Sequence, residues 1–362
     1  MITSRLPAHV ATRPPSLVPR LFVVELTRDR LEDLLAKMGA RRIVVLGDAM
    51  LDVYLAGEVD RISPEAPVPV VTVRQRRVAL GGAGNVAANV AAIGAECRLV
   101  APIGDDARGD SLRGELAQHR LSDAWLVVVP ERPTTSKTRV VARGQQVVRI
   151  DEEVDDPVPD RSAQALIAAL ERAMADADAL LIEDYNKGAL TPAVIERAMA
   201  VARRRGVPVV VDPKFRHFFA YRGATVFKPN RRELEQAMGA ALDLAHPDAL
   251  PAVLDRLGVD NLLLTLGAEG MGLLTKDRQL TRIPALAREV YDVSGAGDTV
   301  TAWVGTALAA GASMREAAEV ATYAAGIEVG KAGVATVSPA EVVAAYDAAQ
   351  DQVGRLRRSG LL

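Results

Sequence analysis

The sequence predicts an α/β fold in which helices cover both faces of a mostly parallel sheet. From Ala163 onward, helical patterns alternate with short apolar strands, which is the order of βαβ units. Several of these strands end in polar residues, and ligands bind at the carboxyl ends of strands in an open α/β sheet. The polar strand ends are Glu183-Asp184, Asp212-Pro213-Lys214, Lys228-Pro229-Asn230 and Thr265.

Composition excludes several classes of protein. The 362 residues carry 44 Lys and Arg against 46 Asp and Glu, so a net charge of -2 does not favour nucleic acid or an anionic membrane. The single cysteine, Cys97, excludes an internal disulfide and a cysteine-based zinc site, and it suits the reducing cytoplasm. No uncharged run reaches the roughly 18 to 20 residues that a membrane helix needs, so we expect a cytoplasmic protein.

The N-terminal part of the chain is predicted to be a loose extension. Residues 1–22 contain no continuous apolar segment of the signal-peptide kind, and residues 1–40 as a whole are assigned to the extension. The folded domain is expected to begin near Arg41, where residues 43–46 form a short buried strand. It should end near residue 350, which leaves residues 351–362 as a C-terminal tail.

A smaller sheet is predicted outside the main one, because four strands have mixed patterning that suits an edge sheet. These strands cover residues 54–59, 68–73, 134–141 and 145–150. They would form a lid from roughly residues 54–75 and 134–151. Since residues 68–73 offer an apolar edge, we expect the lid to join two copies of the chain in a homodimer.

A glycine turn is predicted at the start of the apolar, small-residue helix at 299–310. Gly295, Ala296 and Gly297 leave the backbone uncovered there, so their N–H groups and the helix dipole can face an anion. Asp298 adjoins this site and could take a proton from a group that attacks a phosphate. Alternatively, Asp298 is an ordinary helix cap.

A second glycine cluster precedes an alanine-rich helix at 86–93, and three interpretations of it are open. The stretch that starts at Gly82 matches G-x-G-x-x-A, a fingerprint of nicotinamide or flavin binding, but residues 74–80 do not read as the buried strand that it requires. The glycines could instead serve close helix packing alone. Otherwise Gly81, Gly82 and Asn85 bring backbone and an amide against a polyhydroxyl ligand.

Other motifs for phosphate and metal binding are missing from the sequence. There is no G-x-x-x-x-G-K-[ST] loop, and the four histidines have no zinc spacing. A kinase with this sequence would therefore need another phosphate cradle, and the turn at 295–297 is the leading candidate.

Three motifs, in this order and spacing, carry a resemblance to a known family. They are Gly81-Gly82-Ala83-Gly84-Asn85, Asn230-Arg231-Arg232-Glu233 and Asp292-Val293-Ser294-Gly295-Ala296-Gly297-Asp298. Over about residues 41–349 the chain resembles the ribokinase-like (PfkB) family of carbohydrate kinases. This resemblance implies a ribokinase-like three-layer α/β sandwich with a mostly parallel central sheet and a small β-sheet lid.

Within the family, the chain is similar to the kinases of D-glycero-β-D-manno-heptose 7-phosphate. The stretches behind this closer match are residues 47–52, 61–71, 184–188, 212–214 and 290–299. Many bacteria fuse such a kinase to an adenylyltransferase domain. Because the chain ends at Leu362, we expect the stand-alone form.

The resemblance implies roles for the catalytic turn. Asp298 matches the catalytic base that deprotonates the anomeric hydroxyl of the sugar, while the N–H groups of residues 295–297 hold the charge on the transferred γ-phosphate of ATP. A monovalent-cation site near Asp292 and the loop at 330–338 is a further property of the family.

The resemblance also implies a site for ATP and Mg²⁺. Asn230 and Glu233 match the N-x-x-E motif that positions Mg²⁺ and the ATP phosphates, partly through water. Thr265, Gly267 and Gly270 resemble the nucleotide loop of the family, although they could also form a plain strand–turn–strand.

The residues expected to bind the phosphorylated sugar lie in the first half of the chain and at strand ends. They are Asp48, Asp52, Gly81, Gly82, Asn85 and Asp184, together with the cations Arg143, Lys187 and Lys214 for the phosphate of the sugar. Asp48 could instead be a turn residue, and Arg143 could be a solvated surface charge.

We therefore expect an ATP- and Mg²⁺-dependent kinase that converts heptose 7-phosphate to heptose 1,7-bisphosphate, on the route to ADP-heptose and the lipopolysaccharide core. The alternatives are a kinase of another phosphosugar or a nucleoside, a nicotinamide-dependent oxidoreductase, and a catalytically silent sugar-binding regulator. Trp303 stands where the family usually has Gly or Ala, so it would either reshape helix packing or narrow the pocket.

Overall fold

The computed structural model describes residues 26–242, 250–286 and 290–358. The helices are α1 (Arg28–Met38), α2 (Ala83–Ile93), α3 (Ala107–Gln118), α4 (Asp160–Ala173), α5 (Pro192–Arg205), α6 (Arg231–Met238), α7 (Leu250–Leu257), α8 (Ala296–Ala309), α9 (Met314–Glu328) and α10 (Pro339–Arg358). The strands are β1 (Arg42–Gly47), β2 (Ala49–Ile62), β3 (Pro69–Gly82), β4 (Glu96–Val100), β5 (Pro102–Ile103), β6 (Val127–Val128), β7 (Ser136–Ala142), β8 (Gln145–Glu152), β9 (Ala179–Glu183), β10 (Val209–Asp212), β11 (Val226–Phe227), β12 (Asn261–Thr265), β13 (Met271–Leu274) and β14 (Leu280–Ile283).

An eight-stranded sheet forms the middle layer, in the order β14-β13-β12-β11-β10-β9-β1-β4. The strands from β12 to β4 in this order are parallel, and β13 and β14 continue antiparallel. Side chains alternate between the two faces of a strand, so Ile43 and Val45 enter one core while Val44 and Leu46 enter the other. Helices α1, α2, α8 and α9 cover the first face, and α4, α5 and α7 cover the second. The predicted three-layer fold is confirmed.

The polar strand ends meet at one edge of the central sheet. Gly47 at the end of β1 pairs with Glu183 at the end of β9, and Glu183 pairs with Asp212 at the end of β10. Lys228 follows β11 directly, and its N–H donates to the carbonyl of Val211 at 2.8 Å. The parallel register therefore brings these side chains to a common crevice, as the sequence predicts.

The predicted small sheet is present, in the order β3-β2-β7-β8. Strands β2 and β3 have 14 residues each and are longer than predicted. Strand β3 continues as far as Gly81 and Gly82. Residues 74–80 belong to β3, and they are not the buried strand that the dinucleotide fingerprint requires, as expected. They pair antiparallel with β2 and are largely exposed, whereas a dinucleotide fingerprint needs a buried strand of a parallel sheet.

Two predicted boundaries also need correction. Helix α1 lies in the predicted extension, yet Leu31, Leu34, Leu35 and Met38 are buried in the core. Their i, i+3, i+4, i+7 spacing is the signal that the sequence analysis overlooked. Helix α10 continues beyond residue 350 to Arg358, so the predicted tail starts too early. The remainder of the predicted extension, residues 1–25, lies outside the described residues. Among the described helices, none is long and apolar enough to cross a membrane.

Candidate active site

Gly295 opens helix α8 in a backbone conformation that favours glycine. Its φ is +96°, and a Cβ there would lie 2.9 Å from Nδ2 of Asn85 and 3.2 Å from Oε1 of Glu328. The helix begins at Ala296, and the N–H groups of a first helical turn have no carbonyl partner inside the helix. The turn therefore presents amide groups and the positive end of the helix dipole beside Asp298.

Asp298 is held at both of its carboxylate oxygens. Oδ1 accepts a hydrogen bond from the hydroxyl of Tyr185 at 2.7 Å, and Oδ2 accepts one from Nδ2 of Asn85 at 2.8 Å. Burial, together with the negative charge of Asp212, raises the pKa of Asp298 to about 6, although the two hydrogen bonds oppose this rise. The group is therefore mostly ionised near neutral pH and able to accept a proton.

An acidic cluster surrounds Asp298. One oxygen each of Glu183, Asp212 and Asp298 lie within 4.8 Å of one another. Nζ of Lys228 donates to Oδ2 of Asp212 at 2.8 Å. Burial and the neighbouring carboxylates raise the pKa of Glu183 well above its usual range. Although burial disfavours the charged ammonium, the carboxylates of Asp212 and Glu183 raise the pKa of Lys228. The cluster thus combines one fixed positive charge with three interacting acids.

The cluster fits a hard divalent cation. Both carboxylate oxygens of Glu183 are buried and have no hydrogen-bond partner among the described residues. Carboxylate oxygens are the ligands that Mg²⁺ prefers, together with water and substrate phosphates. Glu183 and Asp212 are therefore residues that could hold Mg²⁺ at this edge of the sheet, whereas both oxygens of Asp298 already accept hydrogen bonds.

The two residues predicted to position Mg²⁺ form the N-terminal cap of α6. The N–H of Glu233 donates to Oδ1 of Asn230 at 2.9 Å, and the N–H of Asn230 donates to Oε2 of Glu233 at 2.9 Å. This reciprocal pair is a capping box. Oε1 of Glu233 is paired with Lys214, whose Nζ also lies 5.5 Å from the centre of the Tyr185 ring. The metal role of Asn230 and Glu233 stays a prediction.

A cleft of about 390 Å³ opens beside the glycine turn at residues 295–297. Its lining includes four of the predicted nucleotide-binding residues, Asn230, Thr265, Gly267 and Gly270, and two residues of the turn, Ala296 and Gly297. Apolar side chains such as Met271 and Val300 supply much of the remaining wall. An apolar cleft with a few polar groups suits a nucleobase. The turn lies in the wall of the cleft, where its amide groups could bind the phosphates of the same nucleotide.

Asp48 and Asp184 have structural partners that the sequence analysis did not foresee. Asp48 accepts hydrogen bonds from three backbone N–H groups, those of Tyr185 and Lys187 at 2.9 Å and that of Ala189 at 3.0 Å. Burial raises the pKa of Asp48 to about 6. Asp184 accepts from the hydroxyl of Tyr221 at 2.7 Å. Both carboxylates therefore shape the loop that carries Tyr185.

The other predicted sugar-binding groups adjoin one another at the ends of β2 and β3. Asp52 is buried and paired with Arg139 of β7. A Cβ on Gly81 would lie 2.4 Å from Oδ2 of Asp52, and one on Gly82 would lie 3.5 Å from the Tyr185 ring. The two glycines thus allow Asp52 and Tyr185 to approach the backbone closely.

Two of the predicted phosphate-binding cations are engaged elsewhere. Nζ of Lys187 is 2.8 Å from Glu153 and 2.7 Å from Asp155. Arg143 lies in the turn between β7 and β8, donates to the carbonyl of Val59 at 2.8 Å, and has 73% of its side chain exposed. The structure does not bring Arg143 to the cluster around Asp298.

The loop predicted for a monovalent cation lies against the glycine turn, since a side-chain carbon of Val334 is 3.5 Å from the place of a Cβ on Gly295. Nζ of Lys331 donates to the carbonyl of Thr336 at 2.7 Å and lies 2.6 Å from Glu341. Next to this loop, burial and the charges of Asp298 and Asp292 raise the pKa of Glu328 to about 8. The sequence does not predict that Glu328 lies near Asp298, because a single glutamate in a helix has no distinguishing pattern.

Trp303 is fully buried in the core on the face covered by α1 and α8. It is not among the residues that line the cleft. Trp303 was expected either to reshape helix packing or to narrow the pocket, and the structure shows it in helix packing.

The comparisons with known proteins decide the family. The model of the pfkB family carbohydrate kinases matches residues 40–341. The chain belongs to this family. It is therefore an ATP-dependent carbohydrate kinase, and the nicotinamide-dependent alternative is wrong.

Individual relatives agree with this family. The kinase is 45% identical over 332 residues to Bifunctional protein HldE of Caulobacter vibrioides and 43% identical over 320 residues to Bifunctional protein HldE of Trichlorobacter lovleyi. These matches cover 91% and 88% of this chain but only 68% and 65% of the relatives, so the chain spans about two thirds of their length. Arabidopsis thaliana ribokinase complexed with ribose and ATP shares the fold, with a TM-score of 0.67 at 21% identity over 84% of this chain and 98% of that one.

Proposed function

We propose that this kinase transfers the γ-phosphate of ATP to the anomeric hydroxyl of D-glycero-β-D-manno-heptose 7-phosphate. The product would be heptose 1,7-bisphosphate, an intermediate on the route to ADP-heptose and lipopolysaccharide core. The observation that carries the proposal is the position of Asp298, which stands between an apolar cleft for ATP and the glycine ends of β3. The choice of heptose 7-phosphate is supported by the identity with the HldE proteins and by the motifs that resemble heptose kinases.

The chemistry assigned to the chain is proton removal and charge stabilisation. Asp298 accepts the proton of the sugar hydroxyl, and the hydroxyl oxygen then attacks the γ-phosphorus as the bond to ADP breaks. Amide groups at the start of α8 stabilise the negative charge that builds on the transferred phosphoryl group, and such donors are typically worth about 3 to 4 kcal/mol each. Mg²⁺, held by carboxylates of the acidic cluster such as Glu183 and Asp212, would neutralise negative charge on the ATP phosphates. General base catalysis typically contributes about 10² to 10⁴ in rate.

The substrate is tested by ATP turnover on heptose 7-phosphate, fructose 6-phosphate, ribose and adenosine. The highest kcat/KM is expected for heptose 7-phosphate, and phosphorus NMR should show a new anomeric phosphate. Turnover of another acceptor without any heptose activity would contradict the substrate. Formation of product on any sugar would dismiss the alternative of a catalytically silent regulator.

We also propose that two copies of the chain associate through the four-stranded sheet. Strand β3 is an edge strand; Val73 within it is 46% exposed, and Val68, just before its first residue, is 52% exposed. Light scattering at micromolar concentration should give the mass of a dimer, and Val73→Lys should shift it towards a monomer. A wild-type monomer under these conditions would refute the proposal.

A further inference from the structure

One face of the four-stranded sheet carries a row of three arginines and one tyrosine that the chemistry above does not use. The register places Arg77, Tyr54, Arg139 and Arg149 side by side, one from each of β3, β2, β7 and β8. Paired residues of neighbouring strands point to the same face of a sheet. These four residues are called the arginine row.

The arginine row brings positive charges together. Arg139 and Arg149 are direct cross-strand partners, and like charges in such positions destabilise a sheet. The guanidinium carbons of Arg139 and Arg77 lie 5.4 Å and 5.9 Å from the centre of the Tyr54 ring. Asp52 and Asp151 offset the charges of Arg139 and Arg149, whereas Arg77 binds only backbone carbonyls among the described residues, so the row keeps an excess of positive charge for an anion.

The row retains hydrogen-bond donors for such an anion. Arg139 uses Nη1 for Asp52, and Arg149 uses Nε and Nη2 for Asp151. A guanidinium has five N–H groups in a planar fork, so each arginine has donors beyond those that face its carboxylate partner. This fork matches the oxygens of a phosphate.

The row faces the side of the sheet where the sugar is proposed to bind. Asp52 and Lys137 form the preceding pair of the same face, two residues back along their strands or roughly 7 Å. Arg77 donates to the carbonyl of Val334 at 2.9 Å, and a side-chain carbon of Val334 lies 3.5 Å from the place of a Cβ on Gly295. Val334 therefore lies between Arg77, at one end of the row, and the turn at Gly295.

We propose that the arginine row binds the phosphate that the sugar substrate already carries, with Arg139 and Arg149 as the direct donors. This inference rests on the proposed function, because it requires a phosphorylated sugar. It replaces Arg143 in that role, since Arg143 lies four residues beyond Arg139, roughly 13 Å further along the strand. It also leaves Lys187 with its two carboxylate partners, Glu153 and Asp155.

The test compares Arg149→Gln and Arg139→Lys with Arg76→Gln. Arg149 is 50% exposed, so its replacement should not unfold the protein, and Arg139→Lys keeps a positive charge beside buried Asp52. Arg76 pairs with Leu55 and therefore points to the opposite face, next to Arg77 in the chain. It is a matched control.

Kinetics are measured on heptose 7-phosphate and on unphosphorylated heptose. Arg149→Gln should raise the KM for heptose 7-phosphate about 10-fold or more, the effect of one lost charge-assisted hydrogen bond, while the kcat and the KM for ATP stay nearly unchanged. Arg139→Lys should also raise the KM for heptose 7-phosphate, and Arg149→Gln should not change the KM for unphosphorylated heptose. Arg76→Gln should match the wild type.

The outcomes separate this inference from the proposed function. If both row variants match Arg76→Gln, or weaken both sugars equally, the inference is overturned while heptose phosphorylation stands. If the wild type accepts fructose 6-phosphate but not heptose 7-phosphate, the proposed substrate is refuted, and the same variants on fructose 6-phosphate and fructose decide the role of the row. A wild type that prefers unphosphorylated sugars contradicts both.

Discussion

The hydroxyl of Tyr185 donates a 2.7 Å hydrogen bond to Oδ1 of Asp298, although 113 positions separate the two residues in the chain. Burial and the charge of Asp298 raise the pKa of Tyr185 well above its usual range, so the hydroxyl remains a donor. Asp48 fixes the backbone N–H of Tyr185 in turn. The orientation of the proposed base is thus set from the loop that follows β9.

Tyr185→Phe should move the acidic limb of the pH profile of kcat/KM to higher pH. The hydrogen bond stabilises the ionised carboxylate and lowers the pKa of Asp298, so its loss raises that pKa. We expect a shift of about one pH unit, as for the loss of one hydrogen bond to a charged group. Tyr221→Phe removes a similar bond, to Asp184, and should leave the limb in place. Equal shifts in both variants would contradict this role of Tyr185.

The wild-type enzyme should lose kcat/KM as the pH falls through about 6. Asp298 has a pKa raised to about 6 by burial, and only the ionised form accepts the proton of the sugar. The profile is measured from pH 4.5 to 8 with thermal melts at each pH, which separate titration from unfolding. A flat profile down to pH 5 would show that no group with this pKa controls the reaction.

Asp48→Asn should destabilise the protein rather than only weaken sugar binding. An asparagine offers one acceptor oxygen where Asp48 has two, so at least one of the three N–H groups that it binds would face an amide donor. The free energy of unfolding, measured with urea, should fall by about 1 to 3 kcal/mol. Asp60→Asn, at a position that is 66% exposed, should leave it unchanged. Unchanged stability with a raised KM for the sugar would instead favour direct sugar binding by Asp48.

Glu233→Gln tests whether Glu233 positions Mg²⁺ in addition to capping α6. Glutamine can complete a capping box as glutamate does, so the melting temperature should fall only by the loss of the ion pair with Lys214. If Glu233 positions Mg²⁺ through water, the Mg²⁺ concentration for half-maximal activity should rise by about 10-fold or more. Glu269→Gln, an exposed carboxylate in the loop after β12, is the control. An unchanged Mg²⁺ requirement would leave Glu233 with the cap alone.

The sequence predicted the features that depend on local pattern. The alternating apolar runs gave the parallel sheet, and the register of β1, β9 and β10 then brought Glu183 and Asp212 together as expected for strand ends. The turn at Gly295 could be predicted from the sequence because a positive φ is accessible mainly to glycine.

Contacts between distant segments could not be predicted in this way. Nothing local to Tyr185 shows that its hydroxyl reaches Asp298, and the N-x-x-E pattern does not distinguish a capping box from a metal site. The position of Arg139 beside Arg149 and Tyr54 is likewise invisible in the sequence, because strand register decides which side chains share a face of the sheet.

The most direct test of the account is the turnover of Asp298→Asn on heptose 7-phosphate. Asparagine has nearly the same shape but cannot act as the base, so kcat should fall at least about 10²-fold while calorimetry shows ATP and sugar still bound. Turnover close to that of the wild type would contradict the assignment of Asp298 as the catalytic base.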